Sequence, residues 1–174
     1  VTHRTGGDTP KQAVNHVRAI NTIGANLERI GDYTVNIVDQ MAYLTDPELL
    51  HEYPVKSSFK EAIAPLRLIG KALEKRNITM AMEICRCEQQ LDERYTDVFQ
   101  RIIKDIGGGE NVENRITLLF IFSYLERIGD ALLNIGEAII FAAMGQKLKV
   151  HQYKALEGTL ASSEMNTSID NIHF

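Results

Sequence analysis

The sequence predicts an all-α protein, an antiparallel bundle of long helices. Three observations carry that reading. Apolar residues recur at helical spacing through four long stretches. No stretch alternates with the two-residue period of a strand for long. The hexapeptide LERIGD occurs at 27–32 and again at 125–130, an offset of 98 residues, which marks an internal repeat of one structural element.

The elements follow in order. Residues 1–9 read as a loop. Thr9 can cap a first helix, with Pro10 at its first position and its end near residue 44. Two prolines break "TDPELLHEYP" (45–54) into a loop. Ser57 or Ser58 opens a second helix to about residue 75, carried by Phe59, Ile63, Leu66, Ile69 and Leu73, with a kink expected at Pro65. Asn77 or Thr79 starts a third, to residue 106, where "GGGE" stops it. Asn111 starts the fourth, to about Met144. The second, third and fourth helices form one complete three-helix unit, residues 57–145. The first, 10–44, is the last member of a preceding unit whose other two helices are absent. In the tail, 146–174, "VHQYKALEGTL" can add a short helix, and the polar remainder reads as linker or disorder.

Composition narrows the function. A net charge of −4 supplies no basic footprint for nucleic acid. The longest charge-free run before Glu126 is about ten residues, against roughly 20 for a membrane span. Cys85 and Cys87 point to different sides of a helix, so they suit free thiols in a reducing cytoplasm better than a disulfide. No signal peptide is visible, and a start at Val suggests a piece of something longer.

The chemistry sits in the repeated stretch. At about 100° per residue, Glu28 and Asp32 lie about 40° apart on one face, with Asn36 at the edge of the stripe. Glu126, Asp130 and Asn134 repeat the pattern, and Asp39 and Glu137 extend it in each copy. Carboxylates four apart repel, and around the second copy the flanks are strongly apolar. Arg29 and Arg127 point about 100° away from their neighbouring Glu. A hard metal cation is the natural neutraliser for such oxygen donors. Gly31 and Gly129 each cost about 1 kcal/mol relative to Ala within a helix, so a helix or ligand is expected to approach there. Glu88 and Asp92 on the third helix form a further acid pair that could complete a ligand set, but Gln89, Gln90, Glu93 and Arg94 around them favour a solvated face.

Other patterns carry less. Glu48–His51 has the Glu-x-x-His form of a di-iron bundle, but it occurs once and in a loop. Cys85 and Cys87 lack zinc-site spacing. "GGGE" lacks the Lys-Ser/Thr ending of a phosphate-binding loop. A carboxylate-bridged di-metal enzyme predicts His beside the acids, and none of the five His lies in either motif. A structural helical module with solvated acids is the remaining alternative.

The doubled ERIGD followed by Asn, with "CEQQLDERY" (87–95), resembles the PhoU family of phosphate-uptake regulators over about residues 10–145. The resemblance implies a non-enzymatic, cytoplasmic regulator, peripheral to the inner face of the membrane, built from two three-helix repeats. It implies metal ions or clusters, iron or zinc, magnesium or manganese, on Glu126, Asp130 and Asn134, on Glu28, Asp32 and Asn36, with Glu88 and Asp92 brought toward them. Its partners would be a phosphate transporter and a membrane sensor kinase. The first site is short of ligands unless a second chain, most simply another copy in a dimer, supplies helices.

Overall fold

The computed structural model describes residues 9–146; the expected loop over residues 1–8 and the expected short helix and linker beyond 146 lie outside them. Among the described residues every regular element is a helix. α1 spans Pro10–Met41, capped by Thr9 through a reciprocal capping box in which Thr9 Oγ1 accepts from Gln12 N and Thr9 N donates to Gln12 Oε1. α5 spans Ile78–Ile106, with the Asn77 side chain accepting from Met80 N. α6 spans Val112–Met144, following Asn111 at positive φ.

Three features depart from the sequence expectation. The proline-flanked loop contains a one-turn helix, α2 (Leu49–Glu52), because Leu49 buries in the core and holds the turn. The second helix is two pieces, α3 (Val55–Leu66) and α4 (Ile69–Glu74). Pro65 has no N–H to donate, and the chain breaks just after it, at Arg67 and Leu68. The first helix stops at Met41 rather than 44, and its last carbonyls are taken by Ala42 N, Tyr43 N and Leu44 N.

α6 is the central element. It is apolar nearly all round, and Leu118, Ile121, Phe122, Leu125, Leu132, Ile135 and Ile139 are fully buried. A helix of that kind must be covered on several sides. α5 covers one side and α1 another, with α3 and α4 closing the unit over α5 and α6. Both long neighbours run antiparallel to α6. Tyr33 stacks on Tyr124 at 6.2 Å, Asn134 Nδ2 donates to Asn26 Oδ1 at 3.2 Å, and Asn15 lies beside Gly145. Along α5, Gly129 meets Glu88 and Leu91, and one helical register later Gly136 meets Cys85 and Ala81. Asn114 ties the α1–α2 connection down by accepting from Thr45 N at 2.8 Å.

The repeat exposes what α1 lacks. Leu118 and Leu125 on α6 are 0% and 1% exposed, whereas their equivalents on α1, Ile20 and Leu27, are 46% and 42% exposed. A Cβ built on Gly129 would lie 3.1 Å from Glu88 Cα; one built on Gly31 meets nothing within 4 Å. The expected close approach exists at Gly129 and is absent at Gly31, because no element among the described residues covers that face of α1 as α5 covers α6.

Opposite outcomes follow for two Gly→Ala changes. Gly31→Ala gains helix propensity at no steric cost and should stabilise by about 0.5–1 kcal/mol. At Gly136 a Cβ would sit 2.3 Å from Cys85 Sγ and 2.7 Å from Ala81 O. Gly136→Ala should therefore destabilise by about 1–3 kcal/mol. Urea unfolding of the two variants checks both signs.

Candidate metal centre

The acids of the second copy project from α6 beside the point of closest backbone contact. Gly129 lets α5 approach until Glu88 Cα is at the position described above, and this sets Glu88 and Asp92 alongside Glu126 and Asp130. Glu88 and Glu126 are half-buried; Asp92 and Asp130 are exposed. The four form an open acidic groove along the α5–α6 seam.

Their electrostatics show the crowding. Burial raises the pKa of Glu88 above its ordinary 4.5, and Asp130 and Asp92 raise it further. Burial likewise raises Glu126, with Asp130, Asp92 and Glu88 adding to the effect and Arg127 opposing it. Asp130 is raised by burial and by Asp92, again against Arg127. Arg127 therefore tempers the repulsion, but among the described residues it closes no ion pair with either acid. The groove carries more negative charge than its surroundings compensate.

As they stand, the side chains do not converge. Among the described residues no three His, Cys, Asp or Glu side chains group closely enough to hold a metal ion. The donor set fits a hard cation in kind, being all carboxylate oxygen. Two of the four acids, Asp92 and Asp130, are exposed to solvent.

The other candidates are placed differently. Glu28 and Asp32 are exposed on α1, with Asn36 half-buried and nothing opposite Gly31. Asn134 turns its amide away from the acidic groove toward α1, where it donates to Asn26. The sequence gives no sign of this pairing. Asn26 is 5% exposed, and only its place on the α1–α6 seam makes it a core residue. Glu48 and His51 sit on the one-turn helix and at its edge, both exposed.

Cys85 and Cys87 on α5 are buried and free, Cys85 packing at Gly136 of α6. Burial, with Glu137 next in strength, pushes the Cys85 thiol up to about 12. Burial, then Glu61 and Glu88, pushes Cys87 up to about 12. Cys87 also donates to Glu61 O at 3.4 Å. Both are packing residues, protonated at neutral pH and poor soft-metal ligands.

The helical fold has counterparts among known proteins. The model of the PhoU domain matches residues 56–139. Among similar proteins, the phosphate-specific transport system accessory protein PhoU homolog of Clostridium acetobutylicum is 28% identical over 133 residues, 74% of this chain and 60% of that protein. The homolog of the same description from Zymomonas mobilis is 30% identical over 137 residues, 76% of this chain and 56% of that protein. The chain thus spans under two thirds of the length of these relatives. The crystal structure of the phosphate transport system regulatory protein PhoU from Streptococcus pneumoniae superposes with a TM-score of 0.73 at 24% identity, over 80% of this chain and 67% of that one; it shows the shared fold.

Two measurements check the site. A carboxylate with a raised folded pKa holds its proton more tightly when folded, so stability falls as pH rises from its ordinary value through the raised one. Metal-free protein should therefore lose stability on the alkaline side of the ordinary carboxylate range. Glu126→Gln plus Asp130→Asn should reduce that loss and stabilise at neutral pH by about a few tenths of a kcal/mol, since solvent screens these part-exposed groups. Denaturant melts across pH read this directly. Iodoacetamide at neutral pH should label neither Cys85 nor Cys87 until the protein is unfolded; rapid native labelling would contradict the burial.

Proposed function

Because the chain belongs to the PhoU family, we propose that it is an accessory regulator of a phosphate transport system, acting through a metal held between α5 and α6. The observation that supports the metal is the uncompensated set of four carboxylates, Glu88, Asp92, Glu126 and Asp130, gathered where Gly129 admits the backbone of α5. Glu126 and Asp130 are the primary ligands, and Glu88 and Asp92 complete the set. A bound cation supplies the positive charge that the groove lacks. Iron, zinc, magnesium and manganese are the candidate ions, and carboxylate oxygen favours the harder of them.

Glu28 and Asp32 form a second site only when another chain or segment covers α1. The role is regulatory and non-enzymatic. The relatives are described as accessory to phosphate-specific transport, and the natural partners are the transporter and a membrane sensor kinase, met at the inner face of the membrane. Among the described residues no helix is long and apolar enough to cross a membrane, so contact with such partners is through the protein surface. The exposure of Asp92 and Asp130 favours a second reading, a helical interaction module whose acids are simply solvated.

Metal titration separates the two. Chelator-treated protein should gain several degrees in melting temperature with manganese or ferrous ion, since an ion bound only to the folded state stabilises it. Glu126→Gln plus Asp130→Asn should abolish the gain, and Glu28→Gln plus Asp32→Asn should leave it. If none of the four candidate metals shifts the melting of the wild type, or if the first variant responds as the wild type does, the solvated-acid reading stands.

A further inference from the structure

A cleft of about 570 Å³ opens between the N-terminal half of α1 and the C-terminal half of α6, away from the carboxylate groove. Arg18, Asn21, Thr22 and Asn26 line it from α1, and Asn134 and Glu137 from α6. We propose that this cleft binds a phosphate group that retains an ionisable proton, free or as a monoester. The proposal deepens the phosphate-system reading and rests on it.

The lining offers donors on one wall. Arg18 brings a fixed positive charge and up to five N–H groups, and it pairs with no acid among the described residues. Asn21 and Thr22 add an amide and a hydroxyl. Asn26, buried, accepts from Asn134 Nδ2 at 3.2 Å and donates to Thr22 O at 2.8 Å. That pair fixes the Asn134 amide and leaves its second N–H for a ligand.

The opposite wall offers an acceptor, the carboxylate of Glu137. A carboxylate has about four acceptor positions, so its other interaction leaves room for a further donor. An oxyanion carrying no proton meets Glu137 lone pair against lone pair. Hydrogen phosphate, or a monoester in its singly protonated form, donates its O–H to Glu137 while its other oxygens accept from Arg18 and the amides. The combination therefore selects phosphate over sulfate, because only the former can satisfy both walls.

The repeat supplies a control within the same chain. Advancing the α1 donors by 98 residues gives Ile116, Leu119, Phe120 and Tyr124 for Arg18, Asn21, Thr22 and Asn26. The acid side is kept, with Asn36 and Asp39 for Asn134 and Glu137. The helix packing alone does not ask for the polar donors, since the equivalent positions are apolar. They are a property of this cleft.

The test is an amide NMR titration of the metal-free protein, with chelator present and ionic strength matched, using inorganic phosphate, glycerol phosphate and sulfate. Saturable shifts confined to residues near 18–26 and 134–141 are expected with phosphate or the monoester, and whichever binds tighter identifies the source. Sulfate should bind at least about tenfold more weakly. Arg18→Ala, at an exposed position that leaves the fold intact, should weaken phosphate about tenfold, the scale of one charge-assisted contact. Glu137→Gln should narrow the gap between phosphate and sulfate. Equal response to sulfate, shifts confined to residues near 88–92 and 126–130, or no saturable shift in the cleft overturns the proposal. Metal is absent throughout, so such a failure is distinct from failure of the metal titration.

Discussion

The approach of α5 to α6 at Gly129 and Gly136 is the constraint on which the rest depends. Two residues without side chains let the helices come close enough that a Cβ would lie 3.1 Å from Glu88 Cα at Gly129 and 2.7 Å from Ala81 O at Gly136. That contact fixes the register of two antiparallel helices of about thirty residues each. Register in turn decides which acids meet. With α5 shifted by one turn, Glu88 and Asp92 would move by about 5 Å along α6, and the four carboxylates would no longer share a groove. The same contact packs Cys85 against Gly136, while Cys87 turns instead to the Glu61 carbonyl on α3.

Charge placed against this packing gives the groove its character. The acids are open enough to stay hydrated but close enough to raise one another's pKa, and Arg127 relieves only part of the strain. Four carboxylates held this close are mildly unfavourable to one another as they stand. The neighbouring seam with α1 has mixed character. Its polar groups are amides, the Thr22 hydroxyl, the Arg18 guanidinium and the Glu137 carboxylate, with the Asn26–Asn134 pair joining the two helices. One central helix thus presents a cluster of carboxylates to one neighbour and a mixed polar cleft to the other.

The two copies of the repeat show how far identical residues can diverge in role. Glu28, Gly31 and Asp32 match Glu126, Gly129 and Asp130 in sequence, yet among the described residues nothing approaches Gly31, and its acids are exposed. The difference lies in what covers the helix. Ile20 and Leu27 remain about half exposed where Leu118 and Leu125 are sealed.

The sequence alone determined the helical class, the three long helices, the cap at Thr9 with Asn77 as one of two candidate starts, and the equivalence of the first and last long helices, because helical spacing, capping chemistry and repetition are local signals. It also picked out the acids of the groove, including Glu88 and Asp92, and Gly129 as a point of close approach. Tertiary structure alone decided the rest. The break after Pro65 and the turn at Leu49 depend on packing against a core that local propensity does not see. The turning of Asn134 toward Asn26, the crowding at Gly136, and the gathering of Arg18, Asn21 and Thr22 opposite Glu137 join residues more than a hundred positions apart or on different helices. No periodicity encodes such meetings; they exist only once antiparallel packing has set one helix against another.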